Sequence, residues 1–262
     1  MNTPEPGNAP GTAAATPPAF FFTDVHGSEP VRAELFGLDR LESHARQLAA
    51  LTRVAPVVPG RALLRRFLKN RRSLLHAHRA ISAAYRRKEN FGPDADWLLD
   101  NFHIVSEALH EIRTDLPHGY YQLLPKVRGG PLDGLPRVYA VALELVAHCD
   151  SCLDEGQITR FVEAFQAVAP LTIGELWAIP IMLRLVVVDN LRRLAEQIVR
   201  ARADREKAKA WAGRCLGALS GDGAPDGPPY RDGKPAWSDS FLVQLLDCMH
   251  EHDVSVASGV EW

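Results

Sequence analysis

Apolar residues recur at steps of three and four through most of this chain, and that periodicity constrains the fold more than any other feature. Residues at this spacing share one face of an α-helix, so the pattern predicts helices. No run of alternating apolar and polar residues is long enough to predict a sheet. We therefore predict an all-α, multi-helix, bundle-like fold. The predicted helices cover about 31–55, 62–87, 94–115, 136–148, 155–168, 173–203, 205–219 and 238–250.

The helices form one main domain between stretches of different composition. Residues 1–30 are rich in Pro, Ala, Gly and Thr, so burial cannot offset the entropy of ordering them, and we predict a disordered tail. Residues 31–219 are the predicted helical domain. Residues 220–236 are dense in Gly, Asp and Pro, which is typical of a flexible loop or linker. Residues 237–262 hold a last helix and what we interpret as a truncated end.

A few residues predict where helices begin or break. Asp94 follows a Phe-Gly-Pro break and is a predicted N-cap. Thr172 and Glu175 have the spacing of a capping box, in which hydroxyl and carboxylate each accept a hydrogen bond from a backbone amide of the other residue. Glu175 is therefore interpreted as structural before it is considered catalytic. Pro180 is expected to kink the following helix or to restart it.

Cysteine usage and hydropathy predict a cytoplasmic setting. Four cysteines in 262 residues are too few for a disulfide scaffold. The start of the chain lacks the charged and apolar regions of a secretory signal. The longest apolar tract, 171–188, contains Glu175, Pro180 and Arg184, so it predicts a buried helix and not a membrane span.

One helix is strongly basic, although the whole chain has a formal net charge of −2. Between Arg61 and Lys88 there are ten Lys or Arg and no Asp or Glu. Three interpretations remain open: docking onto an acidic protein or anionic membrane surface, a face that is solvated or neutralised by this chain's own acidic helices, and nucleic-acid binding. The last is least favoured, because no recognised module or aromatic interleaving accompanies the charge. The docking candidates are Arg65, Arg66, Lys69, Arg72, Arg79 and Arg87.

Two residue groups approach metal or redox motifs without completing one. His103, Glu107 and His110 share an arc of one helix, but a di-metal bundle needs a second such pair. Cys149 and Cys152 form a Cys-x-x-Cys, which lacks a βαβ context for redox use and two more ligands for zinc. We interpret the first group as a polar or solvated face and the second as a helix end. We expect no metal and no cofactor.

Motifs of common catalytic sites do not occur in the sequence. There is no P-loop, no glycine-rich dinucleotide motif, no Gly-x-Ser-x-Gly and no His-Glu-x-x-His. We therefore predict no catalytic residues in this chain.

Several stretches, in order along the chain, are more particular than generic helices. They are Val31-Arg-Ala-Glu-Leu-Phe36, Trp97-Leu-Leu-Asp-Asn-Phe-His-Ile-Val105, Glu111-Ile-Arg-Thr-Asp-Leu-Pro-His-Gly-Tyr-Tyr121, Gly134-Leu-Pro-Arg-Val-Tyr139, Leu171-Thr-Ile-Gly-Glu-Leu-Trp-Ala-Ile-Pro-Ile-Met-Leu-Arg-Leu185 and Asp189-Asn-Leu-Arg-Arg-Leu-Ala195. Together they resemble the N-terminal region of bacterial cyclic β-1,2-glucan synthases. The resemblance runs from about residue 30 to residue 200, and more weakly to the end.

The resemblance implies a role within a larger, multi-domain protein. Members of that family are large inner-membrane proteins that build cyclic β-1,2-glucan from UDP-glucose, and their catalytic and transmembrane portions lie downstream of this region. It implies a non-catalytic module that scaffolds or regulates those portions, as part of one chain or as a separate one. The expected location is the cytoplasm, with a peripheral position at the cytoplasmic face of the inner membrane in view of the basic helix.

A glucan-binding surface is the second hypothesis that this resemblance raises. Aromatic rings stack on sugars, and neighbouring polar side chains bond to hydroxyl groups. An alternative is that Trp97 and Trp177 anchor the core. The carbohydrate-contact candidates are Trp97, Asp100, Asn101, His103, Tyr120, Tyr121 and Trp177.

Overall fold

The computed structural model describes residues 27–55, 62–89, 92–115, 119–219, 230–231, 234–235 and 238–251. Within them the predicted all-α fold is confirmed. The helices are α1 (Leu38–Leu51), α2 (Ala62–Arg86), α3 (Pro93–Asp100), α4 (Phe102–Asp115), α5 (Arg137–His148), α6 (Glu155–Gln166), α7 (Ile173–Leu219) and α8 (Asp239–Glu251). Two short antiparallel pairs accompany them, β1 (Val54–Ala55) with β2 (Lys126–Val127) and β3 (Tyr230–Arg231) with β4 (Lys234–Pro235).

Helix α5 lies at the centre of the main core. All twelve of its residues are buried, and it contacts α1, α6 and α7. A helix that is apolar almost all round favours such a position, because each of its faces can be buried against a neighbour. The two ionisable residues in its second half, Glu144 and His148, are buried with it.

Helix α7 is continuous over 47 residues, or about 70 Å at the rise of an α-helix. The predicted division into helices at 173–203 and 205–219 is wrong, and Pro180 lies inside α7 without restarting it. Contacts with α2, α3, α4, α5 and α8 along its length supply the packing that stabilises one long helix. Five of the other seven described helices therefore pack against this one.

The predicted helix over 94–115 is in fact two helices. Asn101 interrupts it between α3 and α4, with φ of −99° and ψ of 8°, and its side-chain amide donates to the carbonyl of Trp97 at 2.8 Å. Asp94 is not the N-cap, since Gly92 holds that position and Pro93 begins the helix. A φ of 96° at Gly92 explains the difference, because this left-handed region favours glycine.

The N-terminal segment is extended before it becomes helical. Helix α1 begins at Leu38, so the predicted start of this helix is wrong, and Leu35 is exposed. The amide of Val31 donates to the side chain of Asn190 at 2.7 Å, and that of Ala33 to the carbonyl of Ala147 at 2.9 Å. These bonds fasten the segment across α5 and α7. The carbonyls of Ser28 and Glu29 also contact α7, since they accept from Arg200 at 3.4 Å and from Arg193 at 2.6 Å.

Two separate clusters of apolar side chains hold the described chain together. The larger cluster contains residues from each of the helices α1 through α6 and from the first part of α7. The smaller one lies between the last part of α7 and α8, and consists of Ala208, Trp211, Ala212, Phe241, Leu245 and Cys248. Residues 1–26 of the predicted tail over 1–30, most of the loop over 220–236 and residues 252–262 lie outside the described residues. None of the described helices is both long and apolar enough to cross a bilayer.

Candidate docking surface

The basic helix predicted from the sequence is α2, and its amphipathic character is confirmed. Most of its apolar residues face the core, with Leu68 and Tyr85 as exposed exceptions, and most of its Lys and Arg side chains face outward. Exposed residues Arg65, Lys69, Arg72 and Arg79 are spaced by four, three and seven positions, so they lie along one stripe of the helix. We call these four residues the basic face.

Arg66 is the exception among the docking candidates. Its guanidinium lies 2.6 Å from a carboxylate oxygen of Asp189 in α7, and both side chains are largely buried. Asp189 also accepts from Arg192 and Arg193, each at 3.4 Å. Arg66 therefore joins α2 to α7 and is not available to a partner.

Acidic residues neutralise little of the rest of α2. Arg87, just after the helix, pairs with Glu89 at 2.7 Å and lies outside the basic face. No ion pair involves a residue of the basic face within the described parts of the chain. Like charges at this spacing repel one another, so an anionic partner would relieve an unfavourable interaction.

A groove of about 540 Å³ runs beside the basic face, between α2 and α7. Arg72 and His76 line one wall, and Arg200 lines the other. Glu196 also lines it, but this carboxylate already accepts from Arg192 at 2.6 Å. The groove extends the positive surface of α2 toward α7.

The two tryptophans among the sugar-contact candidates are exposed. The side chain of Trp97 is 57% exposed and that of Trp177 is 78% exposed, so the alternative that they anchor the core is wrong. Tyr121 is buried, and its ring is not open to a sugar. The periodicity of α7 could not decide between these two interpretations, because an apolar run does not show which of its faces is covered.

The seven candidates do not form one surface. Trp97 lines a groove of about 400 Å³ against residues 191–201 of α7, and exposed Asp100 and His103 follow it in the chain. Trp177 lies about 21 Å or more away along the helix axis. Tyr120 lies near Trp177 at the start of α7, because its hydroxyl donates to the carbonyl of Gly174. Asn101 is half-buried between α3 and α4.

The remaining sequence candidates lie apart from these surfaces. His103, Glu107 and His110 are all exposed on α4. Cys149 and Cys152 are both free thiols. Burial raises the pKa of Cys149 to about 11, which disfavours the thiolate that redox exchange requires.

Fold and surfaces together define an all-α module with an exposed basic face along α2. It also exposes one tryptophan on α3, beside α7, and another at the start of α7. No protein-family model matches the chain. The chain is, however, 33% identical over 237 residues to the cyclic beta-(1,2)-glucan synthase NdvB of Rhizobium meliloti (strain 1021). The match covers 90% of this chain and 8% of the synthase. The resemblance to cyclic β-1,2-glucan synthases is therefore confirmed, and this chain is homologous to a short part of such a protein.

Proposed function

We propose that this chain is a non-catalytic docking module for the glucosyltransferase machinery of a cyclic β-1,2-glucan synthase. The observation that carries the proposal is the basic face of α2, which is exposed and has no acidic partner in the described residues. A partner surface rich in Asp and Glu would lower the repulsion within this stripe and would select the orientation of docking.

Exposed apolar side chains at the start of α7 support a protein partner. Ile173 and Trp177 are exposed and lie one turn apart on the same face. The turn over 119–124 packs against this end of the helix through Tyr120, and it carries exposed Leu123. Grouped apolar exposure of this kind is typical of protein contact sites. We call Leu123, Ile173 and Trp177 the apolar end patch.

The proposed location is the cytoplasm, at the inner face of the inner membrane. The homologous synthase is more than ten times as long as the matched segment, which leaves ample protein for a module to contact. Anionic lipid adds a second attraction, since a basic residue near such a surface gains about 1 kcal/mol. The protein partner orients the module, and lipid strengthens its attachment.

A binding experiment tests the proposal. The NdvB synthase, with the segment that matches this chain deleted, is immobilised in detergent, and the 262-residue chain is titrated over it. Removing three charge-assisted contacts should weaken binding at least tenfold in a Lys69→Glu/Arg72→Glu/Arg79→Glu variant, and binding of the unaltered chain should weaken steeply with salt. Vesicles with and without anionic lipid measure the lipid contribution separately.

A matched variant controls for net charge. Arg113, Lys209 and Arg214 are exposed basic residues outside α2, and their replacement by Glu changes the charge equally. Equal loss of binding in both variants, or no binding by the unaltered chain, would contradict the docking proposal. Glucose transfer from UDP-glucose by the purified chain alone would contradict its non-catalytic character.

Glucan binding at the groove beside Trp97 is a second candidate function. It is favoured by the exposed indole, which lines a groove of about 400 Å³. Titration with β-1,2-glucan should quench the fluorescence of the unaltered chain and of Trp177→Phe, but not of Trp97→Phe. Unchanged fluorescence at millimolar glucan would exclude this candidate.

A further inference from the structure

A carboxylate lies inside the most buried helix of the protein. Glu144 belongs to α5 and its side chain is 0% exposed. An ionised carboxylate in a protein core is strongly unfavourable unless charged or hydrogen-bonding groups surround it. Two imidazoles do so here, His44 from α1 and His148 one turn further along α5.

The ligand atoms of these three side chains lie close together. Nε2 of His44 lies 2.9 Å from Oε2 of Glu144, and Nε2 of His148 lies 3.6 Å from the same oxygen. The three ligand atoms lie within 4.8 Å of one another. We call these residues the His-Glu-His cluster.

A backbone carbonyl determines the tautomer of His148. Nδ1 of this ring lies 2.6 Å from the carbonyl oxygen of Glu34, which can only accept, so Nδ1 carries the hydrogen. Nε2 of the neutral ring is then an acceptor, and it faces the carboxylate oxygen of Glu144. Two acceptors in this arrangement are stable when a cation lies between them.

We propose that the His-Glu-His cluster binds a divalent transition-metal ion of the zinc type. Zinc bonds of about 2.0–2.1 Å in a tetrahedron place neighbouring ligand atoms about 3.3 Å apart. The two separations from Oε2 lie on either side of that value, and the two imidazole nitrogens lie within 4.8 Å of each other, so side-chain adjustments can bring all three atoms onto one ion. Two imidazoles and one carboxylate form a ligand set that zinc prefers, and a water molecule would complete the tetrahedron.

The surroundings of the cluster are those of a metal site. The hydrogen bond from His148 to a backbone carbonyl fixes the ring and increases the basicity of the nitrogen that faces the ion, as is usual for metal-binding histidines. Phe36 stacks on the His148 ring at 3.9 Å between centroids and meets the His44 ring edge-on at 5.4 Å. The ligands are thus held in place, and the apolar ring shields the ion from solvent.

The bound ion would be structural in its effect. His44 comes from α1, Glu144 and His148 come from α5, and the segment before α1 contacts the cluster through Glu34 and Phe36. One ion would link these three elements of the fold. This inference does not depend on the proposed docking function.

Zinc binding can be measured directly on the untagged 262-residue chain. The chain is stripped with a chelator, dialysed and titrated with ZnCl₂ by calorimetry at neutral pH, and its melting temperature is recorded with and without the ion. We expect one zinc ion per chain and a higher melting temperature when it is bound. Co²⁺ in place of zinc should give the visible absorption of a tetrahedral complex.

Variants locate the site. Loss of a residue that hydrogen-bonds to a metal ligand typically weakens metal affinity 10–100-fold. Loss of a ligand itself, in His148→Gln or His44→Gln, should therefore weaken zinc affinity about 100-fold or more. The matched control is His103→Gln, at an exposed histidine on α4, and Cys152→Ser excludes the cysteine pair. Both controls should bind zinc normally. Folding of each variant is verified by circular dichroism, and Co²⁺ absorption reports on the site where a variant folds incompletely.

Two results would overturn the proposal. One is that the stripped, folded chain takes up no zinc at millimolar concentration, which would mean that a proton alone occupies the cluster. The other is that zinc binds equally well to His148→Gln and His44→Gln, which would place the ion elsewhere.

Discussion

Arg137 and Glu175 form a two-pronged ion pair inside the protein, with Nε to Oε1 at 2.9 Å and Nη2 to Oε2 at 2.7 Å. The pair joins the first residue of α5 to the first turn of α7. The same Glu175 carboxylate accepts from the amide of Thr172 at 2.9 Å, and the amide of Glu175 donates to the Thr172 hydroxyl at 3.2 Å. The predicted capping box is confirmed, and one carboxylate both caps α7 and positions α5.

Replacement of Glu175 by Gln should therefore be strongly destabilising. It leaves the buried guanidinium of Arg137 without its counter-charge, and breaking a buried pair costs about 3–5 kcal/mol. Chemical denaturation followed by circular dichroism measures the free energy of unfolding. The Thr172→Ala variant removes only the capping hydroxyl, so it should lower the free energy of unfolding by only about 1 kcal/mol.

A double variant separates the charge from the packing. Arg137→Leu combined with Glu175→Leu removes both buried charges, so it should be more stable than either single Leu variant. If the effects of the two single substitutions simply add, the ion pair is not the source of the stability.

Arg65 and Arg66 are neighbours in α2 with opposite expected roles. Arg66→Ala should lower the free energy of unfolding by about 2 kcal/mol, because it removes a buried hydrogen bond to a charged group. The loss stays moderate because Asp189 still pairs with Arg192 and Arg193. Arg65→Ala should change stability by less than about 0.5 kcal/mol, since that side chain is exposed. Thermal and urea unfolding compare the two. Equal losses would show that burial does not distinguish these positions.

Apolar periodicity and the residues at helix ends were sufficient to predict the all-α class and the capping box of α7. They could not predict that α7 continues without a break from 173 to 219, because the packing that holds it as one helix comes from other parts of the chain. Nor could they predict the His-Glu-His cluster. Glu144 and His148 lie one turn apart in the sequence, but His44 is 100 residues away and only the contact between α1 and α5 brings it near. Periodicity also left open whether Trp177 is exposed or in the core, because the face of α7 that is covered depends on the other helices.

An exposed ion pair links α1 to α6 and should respond to pH. Glu42 accepts from Arg160 at 2.6 Å, and this hydrogen bond, together with one from Arg46, lowers the pKa of the carboxyl. A lowered pKa in the folded state stabilises the protein above the unfolded pKa of about 4.5, and that contribution is lost as the pH falls through the lower folded value. The melting temperature of the unaltered chain should thus exceed that of Glu42→Gln at pH 6, and the difference should shrink below pH 4.5.

Glu107→Gln is the matched control for this pH dependence. Glu107 is exposed on α4 and forms no ion pair with the described residues. Its replacement should shift the melting temperature by a small amount that varies little over the same pH range. A constant difference for Glu42→Gln as well would contradict the assigned role of the ion pair, and added salt should reduce the effect because both partners are accessible to ions.

The end of α7 and α8 share an apolar cluster that is separate from the main core, so the two should unfold independently. Phe241 and Trp211 are buried in this cluster, and Phe241→Ala removes one of its largest side chains. Hydrogen exchange should therefore become faster in α8 and in the last turns of α7, while α1 and α5 stay protected. Phe161→Ala, in the main core, is the matched control and should lower protection in α1, α5 and α6. Uniform loss of protection after Phe241→Ala would show instead that the two clusters unfold as one unit.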